Sequence, residues 1–332
     1  AITAATSVPP PATRCSNHCR PLGAAPFTIN VMKKIICIGE SCLDIVFEGG
    51  RPVGSVSGGR IVNAAAILAG LKLPVTVISE AATDPVGDSV VAFLRDAGAD
   101  TSAIDRFTDG HTPLQLYTDS ADGGVTVTRY QDYGTAAFDV IWPRVDDDTI
   151  VVFGGYYSID ARTRERLVPF LNNCLDRGAL IVYLPGFLPQ RESRITRVMP
   201  AILENLELAH LVIARNHDLR LIFGIDNEGK CYADHIDFYC RSMISVDPGC
   251  RTISYFSGHE VTQSRVPEDI CLSLHWNAGV VAGAVAEIYA RDLRAADLDA
   301  PGVDLREALL ASAANTARAA AASLTEDWQR KL

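Results

Sequence analysis

Between residues 149 and 214, apolar runs alternate with segments of helical spacing, and few folds accept that order. Thr149-Ile150-Val151-Val152-Phe153, Ala179-Leu180-Ile181-Val182-Tyr183 and Leu211-Val212-Ile213-Ala214 are almost wholly apolar. Residues 162–177 and 194–206 lie between them with helical periodicity. A strand apolar at successive positions is covered on both faces, and strands separated by helices pair in parallel. The chain therefore predicts an α/β fold with a mainly parallel sheet and helices on both sides. The same rhythm opens the domain. A strand over 35–38 precedes an Ala-rich helix over 63–71, a strand over 75–78 and a helix over 84–98. Asp84-Pro85 is the start signal of that last helix and Gly98 its stop. From Trp276 onward the chain is Ala-rich and helical in pattern.

Two short alternating runs interrupt the rhythm. Leu114-Gln115-Leu116-Tyr117-Thr118 and Val125-Thr126-Val127-Thr128-Arg129-Tyr130 flank Asp119-Ser120-Ala121-Asp122-Gly123-Gly124, a β-hairpin signal. With the alternating Gly-rich stretch over 47–59, they predict a small antiparallel flap, its strands within about 45–60 and 112–132. Residues 1–31 are rich in Ala, Pro and Thr, have no period and lack an apolar signal core. They read as a disordered leader or a gene-boundary artefact, with Met32-Lys33-Lys34 opening the domain over 32–332.

The 332 residues carry a formal net charge of −10, which argues against nucleic acid and anionic lipid as partners. No apolar run reaches the roughly 18–20 residues of a membrane span. Nine cysteines are scattered through the chain. Cys37, Cys42, Cys174 and Cys271 lie in apolar surroundings and read as small buried hydrophobes, which fits a reducing cytoplasm better than a disulfide framework. Cys15, His18 and Cys19 are not followed by a second ligand pair at zinc spacing, so no metal site is expected.

Two clusters carry chemistry. In Gly39-Glu40-Ser41-Cys42-Leu43-Asp44, the Asp44 carboxylate lies just past a buried strand, where open α/β sheets bind ligands. It can accept hydrogen bonds from neighbouring sugar hydroxyls, or act as a turn or cap residue. In Ser57-Gly58-Gly59-Arg60-Ile61-Val62-Asn63-Ala64-Ala65, paired glycines let the backbone approach a ligand and Asn63 opens a helix. The bland alternative is a flexible loop and a cap.

Gly-Glu-x-x-x-Asp, then Gly-Gly-x-x-x-Asn-x-Ala, then Asp84-Pro85-Val86-Gly87-Asp88 resemble in order and spacing the N-terminal half of the PfkB carbohydrate kinases. The resemblance covers about residues 33–325 in element order. It implies a ribokinase-like three-layer fold with a small β lid. It also implies sugar-holding positions at Asp44, Gly58, Gly59 and Asn63, and ATP with Mg²⁺ as co-reactants if the chain is active.

The second half departs from that family. Leu184-Pro185-Gly186 stands where related members carry Asp-Pro-Asn. The family's Asn-x-x-Glu falls on Arg215 and Asp218, or, one residue along, on Asn216 and Leu219. Only Asp218 keeps a charge toward phosphate or metal. The Gly-Ala-Gly-Asp signature becomes Cys271-Leu272-Ser273-Leu274, with Leu274 at the base position. A register shifted to Ala282-Gly283 puts Ala278 there instead. Leucine accepts no proton, and side chains at 271 and 272 crowd a backbone meant to contact phosphate. His275, beside the base position, is a weak substitute because adjacent helical residues point about 100° apart.

Three readings follow. The first is a sugar-binding, catalytically impaired PfkB-like protein. The second is an active sugar kinase with substituted catalytic groups. The third is a non-catalytic subunit that pairs with an active paralogue. Exposed edges of the lid hairpin favour a homodimer formed through the lid.

Overall fold

The computed structural model describes residues 33–120, 125–133, 138–187, 192–270 and 274–323, the side chains of 274 and 275 excepted. Among these, the chain runs β1 (Lys34–Ile38), β2 (Cys42–Glu48), β3 (Arg51–Gly58), α1 (Arg60–Gly70), β4 (Val75–Glu80), α2 (Pro85–Ala97), β5 (Ile104–Asp105), β6 (His111–Asp119), β7 (Val125–Asp132), β8 (Thr149–Gly154), α3 (Ala161–Asp176), β9 (Leu180–Leu184), α4 (Ile195–Leu208), β10 (Leu211–Arg215), α5 (Asn216–Phe223), α6 (Glu228–Cys231), β11 (Ser242–Asp247), β12 (Thr252–Ser257), β13 (Glu260–Arg265), α7 (Leu274–Ala290) and α8 (Val303–Ala322). The N-terminal segment and the cysteines at 15, 19 and 271 lie outside the described residues.

Nine strands form one sheet in the order β13-β12-β11-β10-β9-β8-β1-β4-β5. Pairing is parallel from β5 through β11 and antiparallel at β11–β12 and β12–β13. The apolar strands have two buried faces. Ile35, Cys37, Ile150, Val152, Leu180 and Val182 pack into a core shared with α1, α7 and α8, while Ile36, Ile38, Val151, Phe153, Ile181 and Tyr183 pack into a second core with α3. Successive side chains point to opposite faces, so a strand between two helical layers has no polar position. That is the physical content of the apolar runs, and it bears out the three-layer expectation.

Helix α2 starts and stops as its signals predict. The Asp84 carboxylate accepts from the Gly87 amide at 2.7 Å, and Gly98 closes the helix in the left-handed conformation. Helix α1 begins earlier than expected. Gly59 is its N-cap and Arg60 its first residue, and the Asn63 amide donates to the Gly59 carbonyl at 2.9 Å. Asn63 therefore stands in the first turn and is not the cap.

The smaller sheet has the order β3-β2-β6-β7. Its outer pairs are antiparallel, and β2 and β6 run parallel at its centre. Cys37, Cys42 and Cys174 are buried, as their apolar neighbours imply. Among the described residues, no helix is long and apolar enough to cross a membrane.

Candidate functional site

The register of the smaller sheet lines up its site-forming residues. Asp44 on β2 pairs with Gln115 on β6, and Gln115 pairs with Arg129 on β7. One row away, Tyr117 pairs with Val127. Residues two apart on a strand share a face, so Cys42, Asp44, Gln115, Tyr117, Val127 and Arg129 form one wall of a cavity of about 450 Å³. The opposite wall comes from the C-terminal ends of the parallel strands: Gly39 and Glu40 after β1, Gly155 and Tyr156 after β8, Gly186 and Phe187 after β9, and Arg215 with Asp218 around the end of β10. Asn277 of α7 completes it. Open α/β sheets bind ligands at that edge.

Asp44 is 3% exposed and accepts from the Cys42 thiol at 3.3 Å. Burial raises its carboxyl to about 6, against the Cys42 hydrogen bond and the positive charge of Arg129. Gly58 backs this carboxylate and does not face the cavity. A Cβ at 58 would sit 2.4 Å from the Asp44 carboxyl carbon. Gly59 is at φ 110°, a conformation that side chains rarely adopt, and a Cβ there would meet the Glu40 carbonyl oxygen at 2.2 Å. The paired glycines thus let β3 turn into α1 directly against the Gly39-Glu40 turn. Asn63 is 5% exposed, lines the cavity, and its Oδ1 has no partner among the described residues. A buried amide oxygen without a donor calls for a ligand or water to satisfy it.

The second-half positions have a different character. Arg215 binds Asp218 through Nε at 2.8 Å and Nη2 at 2.7 Å, and Arg60 reaches the same carboxylate at 2.8 Å. Burial alone would raise the Asp218 carboxyl; the charges of Arg215 and Arg60 outweigh it and hold it at about 2. Arg60 also donates to the Pro185 carbonyl at 3.0 Å. The other register fails on position: Leu219 is fully buried in the core, and Asn216 donates to Asp247 at 3.1 Å. Leu184 is buried, and Gly186 brings no side chain to the cavity.

Helix α7 begins at Leu274, whose side chain and that of His275 lie outside the described residues, as do residues 271–273. Asp269 is exposed.

Sequence reasoning passed over the inward faces of the lid strands. Gln115 with Tyr117, and Val127 with Arg129, are spaced two apart, and that alternation marks them as one face. Arg129 is the most distinctive of them. Its Nε is buried without a partner among the described residues. Burial opposes its charge, and the nearby Glu40 carboxylate helps to hold the charge in place. Arg60, directly after the paired glycines, was also passed over.

Residues 32–237 match the pfkB family carbohydrate kinases. The chain belongs to this family. The search of curated protein sequences found no match. Solved structures of pfkB-type kinases share its fold. Aminoimidazole riboside kinase from Salmonella enterica, complexed with aminoimidazole riboside and an ATP analogue, aligns with a TM-score of 0.73 at 16% identity, over 89% of this chain and 94% of that one. Fructokinase from Xylella fastidiosa with bound ATP gives 0.72 at 17% identity, over 90% and 94%. Fructokinase from Vibrio cholerae O395 in its fructose-, ADP- and calcium-bound form gives 0.69 at 14% identity, over 89% and 94%. At these identities the likeness is one of fold.

Within the pfkB fold, magnesium and nucleotide phosphate need free carboxylate or amide oxygens and anion donors. Magnesium is held through one or two carboxylates plus phosphate oxygens. Asp218 fits this poorly, because both of its oxygens already accept from guanidinium groups.

Proposed function

We propose that this pfkB-family protein binds a sugar or sugar derivative in the cavity between the two sheets and is impaired in phosphoryl transfer. The observation that carries the reading is the contrast between the two walls. Asp44 and the unsatisfied Oδ1 of Asn63 converge on the cavity from elements that only paired glycines allow to approach. A carboxylate and an amide are the groups that hold vicinal hydroxyls. On the phosphate side, Arg215 and Arg60 engage Asp218, and Leu184 and Gly186 offer no polar side chain. Leu274 at the base position supplies no proton acceptor. Losing a general base costs about 10²–10⁴-fold, and losing one anion donor costs about 10²–10³-fold.

The test is a coupled ADP-release assay with magnesium over a broad panel of sugars, run beside melting shifts on the same panel. A melting shift without ADP release supports the reading. Sugar-dependent turnover at about 1 s⁻¹ or above, ordinary for kinases, refutes the impairment. Loss of all sugar effects on melting refutes the binding site. The fallback in that case is a subunit that pairs with an active paralogue. We place self-pairing on the smaller sheet, whose edge strands β3 and β7 expose Val53, Val125 and Tyr130. Sedimentation of the full chain as a monomer would exclude it.

A further inference from the structure

The charges in the cavity wall are stacked in depth. The Asp218 side chain is 2% exposed, whereas the Arg60 and Arg215 side chains in front of it are 22% and 23% exposed. The acid is behind and the cations face the cavity. Two guanidiniums share one carboxylate, and the next negative charge acting on Arg60 is that of Glu40. Burial, followed by the neighbouring Arg215, pulls the Arg60 guanidinium below its usual range against the charges of Asp218 and Glu40, whereas Asp218 raises Arg215 against its burial. Arg60 uses Nη1 on Pro185 and Nη2 on Asp218, and Arg215 uses Nε and Nη2 on Asp218. A guanidinium has more N–H groups than these contacts take, and among the described residues the remainder have no protein acceptor.

This pair of guanidiniums lies close to the hydroxyl-binding groups. Arg60 and Asn63 are one turn apart on α1 and share a face. Tyr117 lines the cavity together with Asp44 and Arg215 and lies within electrostatic reach of both. The other titratable groups lining the cavity are Glu40, Cys42, Arg129, Tyr156 and His217. Glu40 lies near Arg129, and its carboxylate accepts from the Tyr156 amide.

We propose that the cavity takes a sugar carrying its own oxyanion, a phosphate monoester or a carboxylate, with its hydroxyls on Asp44 and Asn63 and its oxyanion on Arg60 and Arg215. The proposal rests on the reading of this cavity as a sugar site and adds the chemical class of the ligand. Guanidinium groups match oxyanions in planar, two-point geometry. They neutralise the charge directly, so the interaction needs no metal.

The experiment is calorimetry on the full chain in magnesium-free buffer. The probes are ribose and ribose 5-phosphate, fructose and fructose 6-phosphate, and glucose with glucose 6-phosphate and gluconate. Orthophosphate alone, and ATP with and without magnesium, complete the panel. The anionic member of at least one set is expected to bind about 10- to 100-fold more tightly than its neutral partner. In the triple variant Arg60→Gln/Arg215→Gln/Asp218→Asn, which removes both guanidiniums together with the carboxylate they share, that ratio falls toward one. Arg60→Gln lowers it as well. Binding of a neutral sugar with no gain from the oxyanion overturns this inference and leaves the sugar site standing. A gain that survives the triple variant, or that appears only with magnesium, overturns it too. Binding of orthophosphate or ATP with no response to any sugar overturns both the inference and the sugar site beneath it.

Discussion

The Cys42 thiol donates to Asp44 at 3.3 Å, so the carboxylate at the foot of the cavity has a weak protein donor at one oxygen and the cavity before it. A buried carboxylate held so lightly pays for its charge in stability, and the sign can be worked out. Burial raises the folded carboxyl to about 6 from an ordinary value of 3.8. Between those values the native state holds the proton that the unfolded chain releases. This group's contribution therefore favours folding at low pH and is lost as pH rises from about 4 to about 6. Above that window the penalty is at most about 3 kcal/mol. Asp44→Asn is thus expected to raise the melting temperature of the free protein at pH 7.5 while abolishing the sugar-induced shift. Sugar binding by the wild type should weaken about tenfold per pH unit below about 6, since only the ionised form accepts two hydroxyl hydrogen bonds. Calorimetry between pH 5 and 8 checks this, and a flat profile would remove Asp44 from the site.

Gly58 and Gly59 are expected to fail differently when changed to alanine. At 58 the new methyl group meets the Asp44 side chain first, 2.4 Å from its carboxyl carbon. Gly58→Ala should displace that carboxylate, cost about 1–3 kcal/mol and remove the sugar shift. At 59 the methyl meets the Glu40 carbonyl oxygen of the backbone at 2.2 Å, in a left-handed conformation. Strain and overpacking together should cost about 2–6 kcal/mol. Denaturant unfolding of both variants, read beside sugar melting shifts, separates a lost ligand group from a lost fold.

Much of this architecture is legible in the residues. The strands from Thr149 to Ala214 are apolar at nearly every position because both of their faces are buried, and the sequence carries that directly. Asp84 and Gly98 mark α2 because capping is local chemistry. The antiparallel strands β11 to β13 left less trace. Thr252 and Ser254 interrupt the apolar pattern of β12 yet are buried, and Ser254 depends on a partner far along the chain, Glu228, which accepts from it at 2.8 Å. The site divides the same way. Asp44, Gly59 and Asn63 stand in a short motif. Arg129 and Gln115 become site residues only through the register of a sheet whose central pair is parallel. No local pattern announces that pairing.

Asp218 should prove a stabilising residue only in company. Arg215 and Arg60 hold its carboxyl at about 2, so its contribution is complete above pH 4 and is lost as pH falls through about 2. Asp218→Ala leaves two neighbouring guanidiniums without their anion and is expected to cost about 3–5 kcal/mol. Adding Arg215→Met should return part of that loss, because one of the two uncompensated charges goes with it and only that of Arg60 remains. A double-mutant cycle by urea unfolding measures the coupling. Additive costs would mean that the triad is not a unit.

The last expectation concerns catalysis. On the proposed reading, in which Leu274 takes the base position and Cys271-Leu272-Ser273 the place of the anion cradle, wild-type protein should show sugar-dependent ATP turnover far below the ~1–100 s⁻¹ usual for kinases. Leu274→Asp alone should not restore it. A base helps only when the γ-phosphate is already held in line with the attacking hydroxyl, and positioning supplies most of the acceleration in this chemistry. In the proposed reading the phosphate would meet Arg215 and Arg60, which are bound to Asp218, with Gly186 in the same lining. A combined variant is expected to recover a measurable rate: Cys271→Gly, Leu272→Ala, Ser273→Gly and Leu274→Asp, together with Leu184→Asp and Gly186→Asn. The deciding measurement is the wild-type turnover number with its best sugar. A value near ~1 s⁻¹ that disappears in His275→Ala would make His275 the base. The same value untouched by His275→Ala would point to a carboxylate reaching in from upstream. Asp269 is the one to test, although it stands exposed in this conformation.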